Sequence, residues 1–157
     1  MTRTLVAGIG NVFFGDDGFG CEVARRLAGA PPRDGVSVVD FGIRGMHLAY
    51  ELSSGGWDAA IIVDAVARGG RVGTLYVLDP ALDDDAASAP SVADAHGVDL
   101  GAVFAMTRTL GVPPARVVVV GCEAATVDEG MGLSVPLLAA VEPAVALVHQ
   151  LLEGGRQ

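Results

Sequence analysis

The chain has 157 residues, of which 51% are hydrophobic, and it carries a formal net charge of −9. This length predicts a single domain over residues 1–157, and the acidic balance argues against a nucleic-acid partner because phosphates need a basic surface. No run reaches the roughly 18 uninterrupted apolar residues of a membrane span, and the first residues lack the layout of a signal peptide. We therefore expect a cytoplasmic protein with no membrane partner.

A glycine-rich segment follows the first predicted strand. The apolar run at 5–7 predicts that strand, and residues 8–20 lead from it into a helix. The segment does not complete the nucleotide-binding pattern G-x-G-x-x-G, because Phe13 stands in place of the third glycine. Asp16 and Asp17 would repel a phosphate and would suit a cation instead. One carboxylate is enough to cap a helix, so we expect Asp16 to be the cap and Asp17 to be free for binding.

The rest of the chain reads as further units of an open α/β sheet. The predicted strands are 36–40, 59–64, 74–78 and 116–121, and the predicted helices are 46–52, 98–110 and a long final helix capped by Ser134. The link between the third and fourth strands is too short for a helical crossover, so these strands should run antiparallel. An acidic stretch at 78–94 predicts a mobile, solvated loop. The residues expected to face the core in the second helix are Met46, Ala49, Tyr50 and Leu52.

Carboxylates close three of the predicted strand units. Asp17 follows the first strand, Asp40 ends the second and Asp64 ends the third. Ligands of such sheets bind outside the carboxyl ends of the parallel strands, so the three side chains should converge on one edge. Clustered carboxylates repel one another unless a cation or a proton lies between them. His96, after the acidic loop, is either the missing imidazole ligand or an incidental loop residue, and a carboxylate–imidazole set suits Zn²⁺ or Ni²⁺.

Other polar residues offer weaker sites. His47 and His149 lie in helical patterns and are expected at the surface or at an interface. Cys21 and Cys122 are far apart and form no C-x-x-C pair, which argues against a disulfide framework or a cysteine zinc site. Cys122 could form a thiol–imidazole dyad with His96, although nothing else in the sequence activates this thiol. There is no G-x-S-x-G nucleophile motif.

A resemblance to a known family rests on motifs spread over nearly the whole chain. They are Gly8-x-Gly10-Asn11, Asp16-Asp17-Gly18-x-Gly20, Asp40-x-Gly42 followed by Gly45-Met46, Asp64-Ala65, His96, and Gly130-x-Gly132-Leu133-Ser134. In this order they resemble the endopeptidases that mature the large subunit of [NiFe]-hydrogenases.

The resemblance implies a three-layer α/β/α sandwich with a five-stranded, mostly parallel mixed sheet, of the phosphorylase/hydrolase-like type. It also implies a nickel-dependent aspartic or metallo-type endopeptidase that removes a C-terminal extension from the nickel-loaded large-subunit precursor. The nickel would come with the precursor, and zinc or cadmium could substitute in vitro.

The same resemblance assigns the site residues. It gives Asp17, Asp64 and His96 as metal ligands and places Asp40 beside them as a fourth catalytic residue, with a supporting or substrate-orienting role. A monomer is expected. Two alternatives remain open: a non-catalytic nickel-dependent assembly chaperone, and a small-molecule-binding α/β domain.

Overall fold

The computed structural model describes residues 2–80 and 99–154, and the elements in this part follow the predicted order. The strands are β1 (Thr4–Ile9), β2 (Val36–Gly42), β3 (Ala59–Val66), β4 (Leu75–Leu78) and β5 (Arg116–Glu123). The helices are α1 (Phe19–Ala28), α2 (Gly45–Ser53), α3 (Leu100–Leu110) and α4 (Val135–Gly154), with a short 3-10 helix at Gly15–Gly18. His96 and most of the predicted acidic loop lie outside the described residues.

The strands form one five-stranded mixed sheet in the order β2-β1-β3-β5-β4. The neighbours β2, β1, β3 and β5 are parallel, whereas β4 pairs antiparallel with β5. This confirms the predicted fold class. The opposite directions of β3 and β4 also agree with the short link between them, but β5 lies between these two strands. β5 is therefore an interior strand of the sheet, and its central residues Val119 and Val120 are buried.

Two apolar layers flank the sheet because successive strand side chains point to opposite faces. On one face Leu5 and Ile62 belong to a cluster with residues of α2 and α3, and on the other face Val6 and Val63 belong to a cluster with residues of α1 and α4. Among the described residues, α4 is the one helix long and apolar enough to cross a membrane, with a mean hydropathy of 1.6. It buries residues such as Val141 against the sheet instead, and the layers make an α/β/α sandwich.

The inward face of α2 agrees with the prediction at Ala49 and Leu52 and differs from it at Met46 and Tyr50. Leu48, Ala49 and Leu52 are buried, whereas Met46 is 58% exposed and Tyr50 is 69% exposed. The helix is apolar on two faces, and residues four apart share a face. The pair at 48 and 52 contacts the sheet, which turns the pair at 46 and 50 to solvent.

Close packing of α1 against the sheet determines how near the glycine-rich segment lies to the strand ends. A Cβ on Gly20 would lie 2.1 Å from the carbonyl oxygen of Val63 and 2.5 Å from that of Ile9. A Cβ on Gly8 would lie 2.2 Å from the carbonyl oxygen of Gly20. Glycine is therefore needed at both positions so that α1 can rest directly on β1 and β3, which places the 3-10 helix over the ends of these strands.

Candidate metal and catalytic site

Three aspartates meet at the edge where the parallel strands end. Asp17 lies in the 3-10 helix after β1, Asp40 lies near the end of β2, and Asp64 lies near the end of β3. All three carboxyl groups lie around the Cys21 thiol: burial raises the pKa of this thiol, and the carboxylates of Asp40, Asp17 and Asp64 raise it further. The sequence-based expectation that they share an edge therefore agrees with the geometry.

Asp17 is fully buried and is held by the glycine-rich segment. Its Oδ2 accepts a hydrogen bond of 2.9 Å from the backbone N–H of Asn11. Gly10 has a φ of 134°, and a Cβ there would lie 1.9 Å from the carbonyl oxygen of Asp17. Only glycine permits this contact, so Gly10 fixes the position of the Asp17 backbone.

Asp64 is 1% exposed and lies beside Asp17. Burial raises the pKa of the Asp64 carboxyl well above its usual value, and the Asp17 carboxylate raises it further. Its Oδ1 is buried and receives no hydrogen bond from any of the residues described. A carboxylate in this position is stable only with a proton or a cation, so the pair has the electrostatic character of a cation site.

Asp40 occupies an exposed position at the mouth of this site. Its Oδ1 accepts a hydrogen bond of 2.9 Å from the backbone N–H of Gly42, and its carbonyl oxygen accepts one of 2.7 Å from Arg44. The thiol of Cys21 donates a hydrogen bond of 3.4 Å to the carbonyl oxygen of Gly10. Burial raises the pKa of this thiol, and the nearby Asp40 carboxylate raises it further. Asp40 is thus oriented but remains accessible to a substrate or a water molecule.

The prediction that Asp16 caps the following helix is wrong. Neither the 3-10 helix nor α1 has a side-chain cap. Asp16 is fully buried and accepts hydrogen bonds from the backbone N–H groups of Ala125, Thr126 and Ser134 and from the Ser134 hydroxyl, at 2.7–3.2 Å. Asp16 therefore connects the first loop to the segment before α4. The hydroxyl of Ser134, directly before α4, donates one of these hydrogen bonds.

The third predicted ligand cannot be placed. His96 lies within residues 81–98, outside the described part of the chain. In residues 2–80 and 99–154 no group of three His, Cys, Asp or Glu side chains is arranged to hold a metal ion. His47 is exposed, as expected, and His149 is half-buried in α4. His149 lies 15 residues beyond Ser134, roughly 20 Å along the helix and far from the aspartates.

The two cysteines are free and buried. Burial raises the pKa of Cys122 to about 12, with a smaller contribution from the Asp16 and Glu123 carboxylates. A thiol with this pKa is not a thiolate near neutral pH, which argues against a Cys122 nucleophile. The sequence analysis did not identify Cys21 as a neighbour of the site. The sequence indicates this only through spacing, because Cys21 lies about one helical turn after Asp17.

Comparisons of the sequence and of the fold with known proteins agree on one family. Residues 21–151 match the hydrogenase maturation protease family. A Methanocaldococcus jannaschii protein named for the same family is 33% identical over 147 residues, which cover 92% of each chain. The fold is similar to that of the hydrogenase-maturating endopeptidase HybD of E. coli, with 26% identity, a TM-score of 0.83, and 98% of this chain and 94% of that chain covered. It is also similar to the [NiFe] hydrogenase maturation protease HycI of Thermococcus kodakarensis, with 25% identity, a TM-score of 0.71, and 97% and 93% covered.

Proposed function

The chain belongs to the hydrogenase maturation protease family, and from this we propose that it is an endopeptidase that removes the C-terminal extension of a nickel-loaded [NiFe]-hydrogenase large-subunit precursor. Membership of this family makes it a hydrolase of the protease class that acts in hydrogenase maturation. Our proposal goes beyond family membership in three respects. It includes the dependence on nickel, the nature of the precursor and the residues that cut it.

The observation that carries the proposal is the buried pair of Asp17 and Asp64. The carboxylate of Asp64 has an oxygen that receives no hydrogen bond from any described residue, and burial raises the pKa of this carboxyl group. These features fit a divalent cation that arrives with the substrate and replaces a proton. We propose that Asp17 and Asp64, with His96 as the imidazole, hold the nickel of the precursor. Three protein ligands would leave further positions to the substrate.

Asp40 has a different role in this proposal. Its carboxylate is exposed at the mouth of the site and is oriented by the backbone N–H of Gly42. Hydrolysis of a peptide bond requires removal of a proton from the attacking water and its delivery to the leaving amine, and a positioned carboxylate can accept that proton. A bound metal ion can in addition polarise the scissile carbonyl group. Asp40 would therefore act on the peptide that the other three residues bring into place.

An in vitro cleavage assay tests the proposal. The substrate is a large-subunit precursor from the same genome, with and without nickel, and the enzymes are the wild type and Asp17→Ala, Asp64→Ala and His96→Ala. Asp34→Ala is a matched control, since this exposed aspartate precedes β2 at the opposite edge of the sheet. We expect release of a C-terminal fragment only with nickel, and only by the wild type and the control.

Other results of this assay would contradict the proposal or favour an alternative. Cleavage that survives all three substitutions would refute the metal site and would direct attention to Cys122. Nickel-dependent complex formation without any cleavage would favour the assembly chaperone. The cytoplasmic location and the monomeric state expected from the sequence stay predictions, which fractionation of cells and sedimentation of the purified protein would test.

A further inference from the structure

A cleft of about 430 Å³ opens beside Asp40, between α1 and the segment that leads into α4. Its lining includes Val12, Cys21, Asp40, Met131 and Leu138, and we call it the Asp40 cleft. We propose that the Asp40 cleft binds an apolar stretch of the precursor's C-terminal extension, next to the scissile bond. This inference rests on the proposed function and adds to it the place where the released peptide lies.

The walls of the Asp40 cleft are apolar and open to solvent. Val12 is 39% exposed, Leu138 is 54% exposed and Met131 is 73% exposed, and Phe13 next to them is 59% exposed. These side chains come from two distant segments of the chain but lie around one opening. Exposed large apolar side chains that gather in one place are typical of a binding surface.

This opening is held in a fixed shape. The N–H of Gly15 donates to the carbonyl oxygen of Gly130 at 2.8 Å, and the N–H of Gly130 donates to that of Phe13 at 2.7 Å. The four hydrogen bonds to Asp16 fix the same segment on either side of Met131. Met131 is thus presented to solvent by a well-anchored backbone, which lowers the entropy lost when a peptide binds.

The charges around the Asp40 cleft favour an uncharged occupant. Glu22 accepts hydrogen bonds from Arg25 at 2.6 and 3.0 Å and from Arg26 at 3.1 Å, and Arg26 also pairs with Glu142 of α4. These charges on the α1 wall compensate one another. The carboxylate that remains in the lining is Asp40, at the end nearest the site. An apolar peptide segment therefore matches the cleft, with its reactive peptide bond towards Asp40.

The size of the Asp40 cleft indicates which part of the precursor it binds, the nickel-bearing body or the C-terminal extension. A volume of about 430 Å³ is that of a small-ligand pocket, which accommodates a few residues of extended chain and not a folded domain. The nickel-bearing body of the precursor would face Asp17 and Asp64. The extension is the part that leaves the scissile bond as a free chain, so we assign the cleft to it.

The test combines charged substitutions with a competing peptide. Leu138→Asp and Met131→Asp each place a charge in the cleft, and Leu138→Ser is a milder third variant. The matched control is Val112→Asp, since Val112 is 78% exposed and precedes β5 at the opposite edge of the sheet. We expect the KM for nickel-loaded precursor to rise at least tenfold in both charged variants, kcat to stay within threefold, and the control to stay within twofold. A synthetic peptide with the sequence of the extension should compete with the precursor, and Leu138→Asp should weaken this competition by a similar factor.

The results separate this inference from the proposed function. If the wild type cleaves precursor but KM is unchanged in the cleft variants, the cleft assignment is wrong and the proposed function stands. A fall in kcat at unchanged KM would also refute it, because the cleft would then act on the chemistry. A raised KM without competition by the peptide would exclude the extension as the occupant. A wild type that cleaves no precursor would refute the proposed function itself.

Discussion

Asp64 lies beside Asp17, and both side chains are almost completely buried, so that burial raises the pKa of Asp64 and the Asp17 carboxylate raises it further. Two carboxyl groups in such a position cannot both be ionised without a compensating positive charge. Without a bound cation the pair therefore keeps a proton to a higher pH than isolated aspartates would. Cation binding and proton release at this site are coupled, which gives the site a dependence on pH that an exposed pair would lack.

The substitution Asp64→Asn should change how stability depends on pH. In the folded state the pKa of Asp64 is raised, so the folded protein binds more protons than the unfolded chain between the usual aspartate pKa, about 4, and the raised value. Stability of the metal-free wild type should therefore fall as the pH rises through this window. Asp64→Asn lacks this loss, so the Tm of the variant minus that of the wild type should increase from pH 4 upwards.

Thermal unfolding of the metal-free proteins between pH 4 and 8 measures this difference. Asp34→Asn is the control, since Asp34 is exposed and far from the pair. Asp17→Asn should show a related effect, because it removes the charge that helps to raise the pKa of Asp64. Parallel curves for Asp64→Asn and the wild type would contradict the raised pKa.

The substitution Asp40→Asn should separate docking from cleavage. The side chain keeps its size and can still accept from the N–H of Gly42, but it loses the charge that can accept a proton. Nickel-dependent association with the precursor, measured by co-purification, should be retained, and the rate of cleavage should fall at least 100-fold. Unchanged cleavage would remove Asp40 from the active residues.

The substitution Asp16→Asn should destabilise the fold. Asparagine keeps one acceptor oxygen, so its amide nitrogen would face either the N–H of Ser134 or the N–H groups of Ala125 and Thr126, which now donate to a carboxylate. Unpaired buried donors cost about 1–3 kcal/mol each, so we expect a loss of about 2–4 kcal/mol in the free energy of unfolding, measured with urea. Asp128→Asn, at an exposed aspartate in the same segment, should stay within about 0.5 kcal/mol of the wild type. Equal stability of the two variants would refute the structural role of Asp16.

Two glycines of one helix should respond differently to alanine. Gly20→Ala forces a Cβ to within 2.1 Å of the carbonyl oxygen of Val63, so α1 must move away from the sheet at a cost of about 2–3 kcal/mol. At Gly29, directly after α1, φ is −80° and the nearest atom to a Cβ is 3.5 Å away. Gly29→Ala should therefore be neutral or stabilising by up to about 1 kcal/mol. Urea unfolding of both variants decides whether the close approach is real.

The thiol of Cys122 should be unreactive in the folded protein. Its pKa of about 12 leaves almost no thiolate at pH 8, and the side chain is fully buried. Iodoacetamide should label Cys122 only after unfolding, as mass spectrometry of the digested protein can show. Cys122→Ala should retain cleavage within a factor of a few. Rapid labelling of the native protein, or loss of cleavage in a folded variant, would revive the thiol–imidazole dyad.

The local features of the fold were predictable because they depend on near neighbours in sequence. Apolar runs and turn residues placed the five described strands and the starts of the four described α-helices within a few residues of their observed positions, and the three aspartates at strand ends were found in the same way. The 3-10 helix at Gly15–Gly18 was not predicted. The order of the strands was harder to predict. The short link after β3 determined the direction of β4. The position of β5 between them depends on pairing with β3 across 57 residues and with β4 across 41–47 residues.

The errors in the prediction share a cause. Asp16 was interpreted as a helix cap because the sequence shows only the helix that follows it, whereas its partners lie 109–118 residues further along the chain. Met46 and Tyr50 were wrongly expected in the core, and Leu48 was missed, because Met46 and Tyr50 form as good a helical pair as Leu48 and Leu52. Only packing against the sheet distinguishes the two faces. Non-local contacts of this kind leave no trace in the spacing of residues.

The bond between Asp16 and Ser134 has a consequence for how the protein is made. The first loop emerges from the ribosome before the groups that hold Asp16, which follow 109–118 residues later. Contacts between such distant residues form late, since a long stretch of chain must be closed before they can contribute. The first loop, and Asp17 within it, can therefore take its final form only when β5 and the start of α4 are in place. A growing chain would stay inactive until it extends past Ser134.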